Sequence, residues 1–421
     1  MTAQNDQGHL GLALSGGGSR AAAFHRGMLQ AVHELELIEL VDRVSTVSGG
    51  SVFGAAWMAA RAKRVADETF LEELKGVLRR GFIVPAIANP RVLLMALPGY
   101  TRTHRVGETF DRLLLRGLTL AELPDKPLLV LNSAVLNHAQ VARFSRFGLS
   151  CIDVGSDGKT GSLPHFPLAP HIKLGFPTAA SAAFPFGLPP LELQRRDIGD
   201  ARFIQALAGL ESLHLTDGGV LENLGVQTLL RSRTFGARHV IVSDAGIRET
   251  PWKPGGVLER IKNAALFGVS PDTLSRLLEI MNNKQNRSMR QIVVQELNPP
   301  PAGPARTVLM IMVDQDWEGM LTGIPTWRLT SLAQRANASL ALPDRKAPAT
   351  IQAFLEKCGV DLSVAQKIYK DMGGQPTTRA VNDVGTNFTG MSEQTLDQLA
   401  NHARWQLHAG SAVFGPIPGR S

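Results

Sequence analysis

The stretch LGLALSGGGSR, residues 10–20, decides which fold this chain adopts. Leucines at every second position of its first half predict a short buried strand, and three consecutive glycines, Gly16 to Gly18, predict a tight turn. Apolar residues recur near helical spacing from Arg20 to Leu35, which predicts a helix. A strand that enters a helix through a glycine turn is the opening unit expected of an α/β fold.

The same alternation continues through the first half of the chain. A strand predicted at Val41–Val47 leads into a helix predicted at about Gly49–Arg61. Four more runs predict strands: Pro127–Val135, Gln140–Ser145, Leu213–Thr216 and Val240–Ser243. Strands that alternate with helices indicate a layered α/β architecture.

The composition changes after residue 246. Apolar spacing there predicts helices at Val257–Phe267, Pro271–Gln291 and Glu393–Ala409. A proline-rich connector at 298–304 precedes an apolar strand, Val308–Val313, which could join the same sheet. We therefore expect a catalytic core over residues 9–246 and a mostly helical extension over 247–421 that packs on it.

The segment 82–100 is apolar but is interrupted by Pro85, Pro90 and Pro98, so a continuous helix is not expected. Two interpretations stay open from the sequence. The segment is either a loop with a short helix buried in the core, or a lid or membrane-docking loop.

Composition bounds the function classes. The 421 residues carry a formal net charge of +7, but no run of five basic residues occurs, so no nucleic-acid partner is expected.

Cys151 and Cys358 stand outside any zinc-binding pattern, and two cysteines suit a reducing compartment. We expect no metal or cofactor. Neither a signal peptide nor a transmembrane stretch is evident, so we expect a cytoplasmic protein, with peripheral membrane association and oligomeric state left open.

Three glycine-containing segments carry the chemistry. The first is the loop Gly16-Gly17-Gly18-Ser19-Arg20, whose backbone N–H groups can converge at a helix N-terminus and hold a phosphate or a developing oxyanion. It matches neither the GxxxxGK[ST] nor the GxGxxG fingerprint. By itself this loop leaves a nucleotide site and an acyl-transfer site equally open.

The second segment is Thr46-Val47-Ser48-Gly49-Gly50, which follows a strand and precedes a helix. That is the context of a nucleophile elbow, in which a sharp turn exposes a serine hydroxyl. Thr46 occupies the position of the first glycine in the usual GxSxG pattern, so the turn is expected to be somewhat reshaped. The alternative is an ordinary serine in a glycine-rich turn.

The third segment is Asp217-Gly218-Gly219, at the end of a predicted strand. Open α/β folds place their functional groups at the carboxyl ends of the strands, so a carboxylate is well located there. The alternative is a simple turn, because Asp-Gly is a common turn pair.

Taken together and in this order, the three segments resemble the patatin-like phospholipase family. Its members have a GGGxR motif, here Gly16 to Arg20, then an elbow, here around Ser48, and then an Asp-Gly-Gly motif, here at Asp217. Three supporting segments also look like the family: Ala179–Pro185, Asn132 in its predicted strand, and Val220–Gly225. The resemblance covers about residues 9 to 246.

The resemblance implies a three-layer α/β/α fold with a mostly parallel central sheet. It implies a serine hydrolase acting on lipid or other acyl esters, as a phospholipase A, a lysophospholipase or a carboxylesterase. Ser48 would be the nucleophile and Asp217 its base. Gly16, Gly17 and Gly18 would form the oxyanion hole, with N–H donors from Gly17 and Gly18. Glycines of the elbow and the Asp loop complete the implied site: Gly49, Gly50, Gly218 and Gly219.

Arg20 has two interpretations. The family pattern suggests that it orients the oxyanion loop or an anionic group of the substrate. A basic residue near a helix end is equally often a surface charge.

Several alternatives remain open at this stage. A Ser-His-Asp triad would need one of the candidate histidines: His25, His33, His214 or His239. An acyltransferase would use the same acyl-enzyme, and a lipid-binding module could keep the fold without activity. A nucleotide-binding protein would need an acidic ribose contact, for which Glu39 and Asp42 are the candidates.

Overall fold

The fold is taken from a computed structural model of the chain. It describes residues 10–82, 100–151, 165–198, 200, 211–246, 280, 284–293, 307–336 and 340–415, except for 186, 233, 345, 383 and 386–387.

A nine-stranded sheet forms the centre of the structure. Five adjacent strands run parallel in the order β3-β2-β1-β8-β9. These strands are β1 (Leu10–Leu14), β2 (Val41–Val47), β3 (Leu128–Val135), β8 (His239–Asp244) and β9 (Thr307–Met312). The remaining four are antiparallel to their neighbours: β4 (Gln140–Ser145), β5 (Gly148–Cys151), β6 (Leu191–Gln194) and β7 (Ser212–Asp217).

Helices surround the sheet. Those of the first half are α1 (Gly18–Glu34), α2 (Gly49–Ala62), α3 (Asp67–Arg80), α4 (Arg102–Phe110), α5 (Gly175–Ser181) and α6 (Val226–Arg231). Those of the second half are α7 (Trp317–Thr322), α8 (Thr326–Arg335), α9 (Pro348–Lys357), α10 (Ser363–Asp371), α11 (Gly374–Asn382) and α12 (Glu393–Phe414), together with helical residues at 284–293.

Side chains that alternate along β1 divide the core into two faces. Leu10, Leu12 and Leu14 pack into the large apolar core beneath α1, α2 and α12. Ala13 points the other way and packs against Leu229 of α6, in a cluster that helical residues 284–293 also cover. Helices therefore lie on both faces of the sheet, and the predicted three-layer α/β/α fold is confirmed.

The second half of the chain contributes to the same core. β9 pairs with β8 along its whole length, so the apolar strand predicted at Val308–Val313 does extend the sheet, one residue earlier than expected. α12 packs along α1, and Gly27 is the point of closest approach, because a Cβ there would lie 1.7 Å from the Ala400 carbonyl oxygen. Division of the chain at residue 246 stays a prediction.

Some sequence predictions fall outside the described residues. The helix predicted at 257–267 and the connector at 298–304 are among them, and of the helix predicted at 271–291 only residue 280 and residues 284–291 are described. Of the segment 82–100, Phe82 is buried, Tyr100 is half-buried, and 83–99 lie outside the described residues. Within the described parts of the chain, no helix combines the length and apolar character needed to cross a membrane.

Candidate active site

The register of β3 brings Ser48 and Asp217 together. Asn132 of β3 pairs with Val47, the last residue of β2, and the next residue, Ser133, pairs with Asp217 at the end of β7. β2 and β7 therefore pair with the same side of β3, one directly after the other along its length. The residue that follows Val47 is Ser48, so the two side chains named by separate motifs meet at the carboxyl edge of the parallel strands.

Ser48 has the backbone conformation of a nucleophile elbow. Its φ of 51° and ψ of −120° are unusual for a residue with a side chain, and such strain is typical of functional turns. Its carbonyl begins helix α2 by accepting the N–H of Ser51 at 2.9 Å. Gly49 is required in the next position, because a Cβ there would lie 2.3 Å from the carbonyl oxygen of Gly18 in the glycine loop.

Glycines also set the close approaches around this turn. A Cβ on Gly50 would lie 2.4 Å from the carbonyl oxygen of Leu14, and one on Gly218 would lie 2.4 Å from that of Asn132. No larger side chain fits at either position without moving the backbone. The elbow and the Asp loop can therefore touch β1 and β3 directly.

Thr46 fits the elbow because Gly54 makes room for it. A Cβ on Gly54, two turns into α2, would come within 2.7 Å of the Thr46 methyl group. The Thr46 hydroxyl is satisfied by Ser51 at 2.9 Å and by the carbonyl of Val130 at 3.2 Å. The larger residue at the motif's first glycine position is thus accommodated because the facing helix carries a glycine, Gly54.

The end of α5 connects both halves of the site. The carbonyl of Ser181 accepts the N–H of Ser48 at 3.2 Å, and the Ser181 hydroxyl bonds to Ser51 at 2.7 Å. Two residues on, the carbonyl of Ala183 accepts the N–H of Asp217 at 3.1 Å. Ser181 and Ala183, both within the segment Ala179–Pro185, therefore hold the elbow and the Asp loop at a fixed separation.

The glycine loop supplies N–H groups at the start of α1. Gly17 has a φ of 142°, which favours glycine, and Gly18 is the first residue of the helix. No acceptor is seen for the N–H groups of Gly17 and Gly18 among the described residues. These two groups are available to a ligand, and the helix dipole favours negative charge there.

Gly16 contributes to the glycine loop in a different way from Gly17 and Gly18. Its N–H donates to the carbonyl oxygen of Asn223 at 3.0 Å, so this group is not free to bind an oxyanion. A Cβ on Gly16 would lie 2.2 Å from the Asn223 side-chain oxygen and 3.0 Å from the Ser48 Cβ. Gly16 belongs to the loop as a point of close packing, and not as a donor to the substrate.

Asp217 is almost fully buried, and burial raises its pKa to about 6. Two interactions act in the opposite direction and favour the ionised form: a hydrogen bond with the Ser48 side chain and the N–H of Gly219, 2.7 Å from Oδ1. The carboxyl is thus a stronger base than a solvated aspartate and is still ionised at neutral pH. It lies in contact with the one hydroxyl that could use it.

Arg20 is 1% exposed, which excludes the surface-charge interpretation. Its guanidinium donates twice to the carbonyl of Ala245, at 2.6 and 3.0 Å, and once to that of Val384 at 2.6 Å. Both acceptors are main-chain oxygens, and burial lowers the pKa of Arg20 to about 10. The geometry fits a residue that fixes the glycine loop against β8 and the extension, rather than one that binds an anionic substrate group.

The candidate triad histidines have other partners. His25 is buried between the carbonyl of Ser15 and the hydroxyl of Ser243, and burial lowers its pKa to about 4. His33 bonds to Asp67 at 2.8 Å. His239 begins β8, at the opposite end of the sheet from Ser48, and His214 is exposed on β7. Within the described residues, no histidine is hydrogen-bonded to Ser48 or Asp217.

The acidic candidates for a nucleotide site lie at the wrong edge. Asp42 is the second residue of β2 and pairs with Arg43 at 2.8 Å, whereas the glycine loop follows the last residue of β1. Parallel strands β1 and β2 place these two positions at opposite ends of the sheet. Asp42 and the neighbouring Glu39 therefore cannot contact a ribose whose phosphates lie on the glycine loop.

Asn223 is the site residue whose position sequence reasoning missed. Besides holding Gly16, its side-chain oxygen lies against Gly219, where a Cβ would be 2.7 Å away. It therefore packs between the glycine loop and the Asp loop. The signal was the segment Val220–Gly225 directly after Asp217, which pointed to the family but not to a contact with Gly16.

Comparison with known families matches this site. The family model described as patatin-like phospholipase matches residues 12–230, a range that contains the glycine loop, Ser48 and Asp217. This chain belongs to the patatin-like phospholipase family. Members of that family are lipid acyl hydrolases. Membership therefore argues against the nucleotide-binding interpretation of the glycine loop. No curated protein matches the sequence as a whole.

One solved structure supports the fold. Human GIVD cytosolic phospholipase A2 is similar with a TM-score of 0.53 and 14% identity, over 98% of this chain and 62% of that one. At this identity the likeness concerns the fold alone, and the chain spans less than two thirds of the human protein's length. VipD from Legionella pneumophila matches with a TM-score of only 0.29 and 12% identity, over 95% of this chain and 91% of that one, which is too weak to bear on the fold.

Proposed function

We propose that this patatin-like protein is a serine lipid acyl hydrolase that cleaves fatty-acyl esters with a Ser48–Asp217 dyad. The observation that carries the proposal is the register of β3, which sets the strained Ser48 beside the buried Asp217. The N–H groups of Gly17 and Gly18 on the adjoining loop, which have no acceptor among the described residues, would supply the remaining requirement of acyl transfer.

The proposed reaction proceeds in two steps. Asp217 takes the proton of the Ser48 hydroxyl while the oxygen bonds to the ester carbonyl carbon, and the oxyanion is held by the N–H groups of Gly17 and Gly18. The leaving alcohol takes the proton from Asp217, and an acyl-enzyme remains. Water then gives a proton to Asp217 and attacks the acyl carbon, and Ser48 recovers its proton as the fatty acid leaves.

We infer that Arg20 acts as a positioning residue in this scheme. Its bonds to Ala245 and Val384 tie the start of α1 to the end of β8 and to the extension. The loop N–H groups would then keep their direction when charge develops on the substrate oxygen, which is the condition for a pre-organised oxyanion hole.

Covalent labelling tests the nucleophile. A fluorophosphonate probe should label the native protein at a single site, and Ser48→Ala should abolish the label because no other described hydroxyl has the elbow geometry and the carboxylate partner. Ser288→Ala serves as the control, since that hydroxyl is exposed and donates to the carbonyl of Lys284, four residues earlier in the chain. A native protein that resists the probe, or label that persists in Ser48→Ala, would count against the proposal.

The pKa of Asp217 gives an expected pH dependence. The base must be ionised, so ester turnover should be present above the folded pKa and lost as the pH falls through about 6. A solvated aspartate would lose its activity near pH 4 instead. The check is a pH–rate profile, with circular dichroism recorded at each pH. An acidic limb close to pH 4 would show that the site is wetter than its burial indicates.

Product analysis separates hydrolysis from acyl transfer. Both routes share the acyl-enzyme, so the free fatty acid and any transacylated product are measured with and without an added alcohol. We expect the fatty acid as the main product.

We also propose that the protein acts in the cytoplasm and associates peripherally with a membrane. The net charge of +7 supports the membrane association, because a positive protein is attracted to anionic lipid.

A further inference from the structure

Phe184 lies next to both candidate catalytic residues through the hydrogen bonds of its own segment. It follows Ala183, whose carbonyl accepts the N–H of Asp217 at 3.1 Å, and it lies three residues after Ser181, which holds the N–H of Ser48. Its side chain nevertheless remains 39% exposed. A large, partly exposed apolar side chain therefore directly follows Ala183, the residue whose main chain contacts Asp217.

Phe184 is the exposed end of an aromatic cluster. Its ring lies 6.2 Å from that of Phe388, which lies 6.0 Å from both Phe82 and Phe110. Phe82 and Phe110 meet edge to face at 5.1 Å, and these three rings are buried. Phe388 comes from the region beyond the family match, so the extension supplies the support for an aromatic residue beside the dyad.

The Phe184 ring is held in one place by Gly187. A Cβ on Gly187 would lie 1.8 Å from the ring edge, so the ring rests directly on the backbone there. The backbone of Phe184 is also held by the turn that follows, because its carbonyl accepts the N–H of Leu188 at 3.0 Å. A rigid ring loses little conformational entropy when it contacts an apolar ligand.

We propose that Phe184, supported by Phe388, contacts the acyl chain of the substrate and sets a preference for long chains. This inference rests on the proposed hydrolase function. An acyl chain extends from the carbonyl carbon that Ser48 attacks, so it must cover nearby surface after a few methylenes. Each methylene removed from water favours binding by roughly four-fold, and an exposed aromatic ring beside the dyad provides the surface.

The test compares two soluble, monomeric esters, p-nitrophenyl acetate and p-nitrophenyl octanoate, both well below the concentration at which they aggregate. Phe184→Ala should lower kcat/KM for the octanoate by about ten-fold and leave the acetate within about two-fold. Gly187→Ala should give the same pattern, because it displaces the ring without removing it. Phe184→Leu should keep most of the preference.

Phe147→Ala is the matched control, since Phe147 is 49% exposed in the turn between β4 and β5, away from the dyad. It should change kcat/KM for neither ester. The inference would be overturned if the ratio of kcat/KM for the octanoate to kcat/KM for the acetate stays at the native value in Phe184→Ala. An equal loss of kcat/KM on both esters would also overturn it, because Phe184 would then support the dyad instead of the acyl chain. A native protein that turns over neither ester and takes no fluorophosphonate label would instead overturn the proposed function.

Discussion

Replacing Asp217 with asparagine should lower kcat for ester hydrolysis by about a thousand-fold or more, with little change in stability. The amide has the same shape, and its oxygen can still accept the N–H of Gly219 that lies 2.7 Å from Oδ1. It cannot accept the Ser48 proton, so the hydroxyl stays a weak nucleophile. The measurement is steady-state turnover of a chromogenic ester, with thermal unfolding recorded for both proteins.

The same experiment decides between the dyad and a triad. Alanine variants of His25, His33, His214 and His239 should each keep more activity than Asp217→Asn, provided that they fold. His25→Ala is the most demanding comparison, because His25 bonds to Ser15 directly before the glycine loop. A histidine variant that is folded and as inactive as Asp217→Asn would make that histidine the base and would contradict the dyad.

Many strands and helices were predictable because their signals are local. The strand predicted at Val41–Val47 and the strand at Gln140–Ser145 have the observed bounds, and the helix predicted at Glu393–Ala409 continues five residues further, to Phe414. Buried parallel strands such as β1 and β8 are rich in apolar residues, which sequence patterns detect. The antiparallel pair β6 and β7 was only half predicted, because the short β6, Leu191–Gln194, carries no comparable run.

The candidate site was predictable in its members but not in its contacts. Glycine loop, Ser48 and Asp217 could be named from motif order alone. That Gly16 donates to Asn223 and that Arg20 is buried against Ala245 and Val384 depends on residues distant in sequence. Such contacts follow from strand register and helix packing, which no local pattern encodes. The aromatic support from Phe388 is hidden for the same reason, since 204 positions separate it from Phe184.

Gly27→Ala should destabilise the fold by at least about 3 kcal/mol, at the upper end of the cost of overpacking. The added Cβ would lie 1.7 Å from the carbonyl oxygen of Ala400 and 2.3 Å from its carbon, both of them helix backbone that cannot rotate away. α1 and α12 would have to separate along their length, and the core shared by Phe24 and Leu399 would open. The midpoint of chemical denaturation measures the loss.

Gly76→Ala is the matched control, because Gly76 also lies within a helix, α3, yet its Cβ would meet nothing within 4 Å. There the better helix propensity of alanine should stabilise the protein by about 0.5–1 kcal/mol. If Gly→Ala lowers the free energy of unfolding at residue 27 but raises it at residue 76, the loss at residue 27 comes from the α1–α12 contact. Gly27 lies nine residues after Gly18 on the same helix, so if Gly27→Ala keeps native stability, the extension is not required to hold the helix that presents the oxyanion loop.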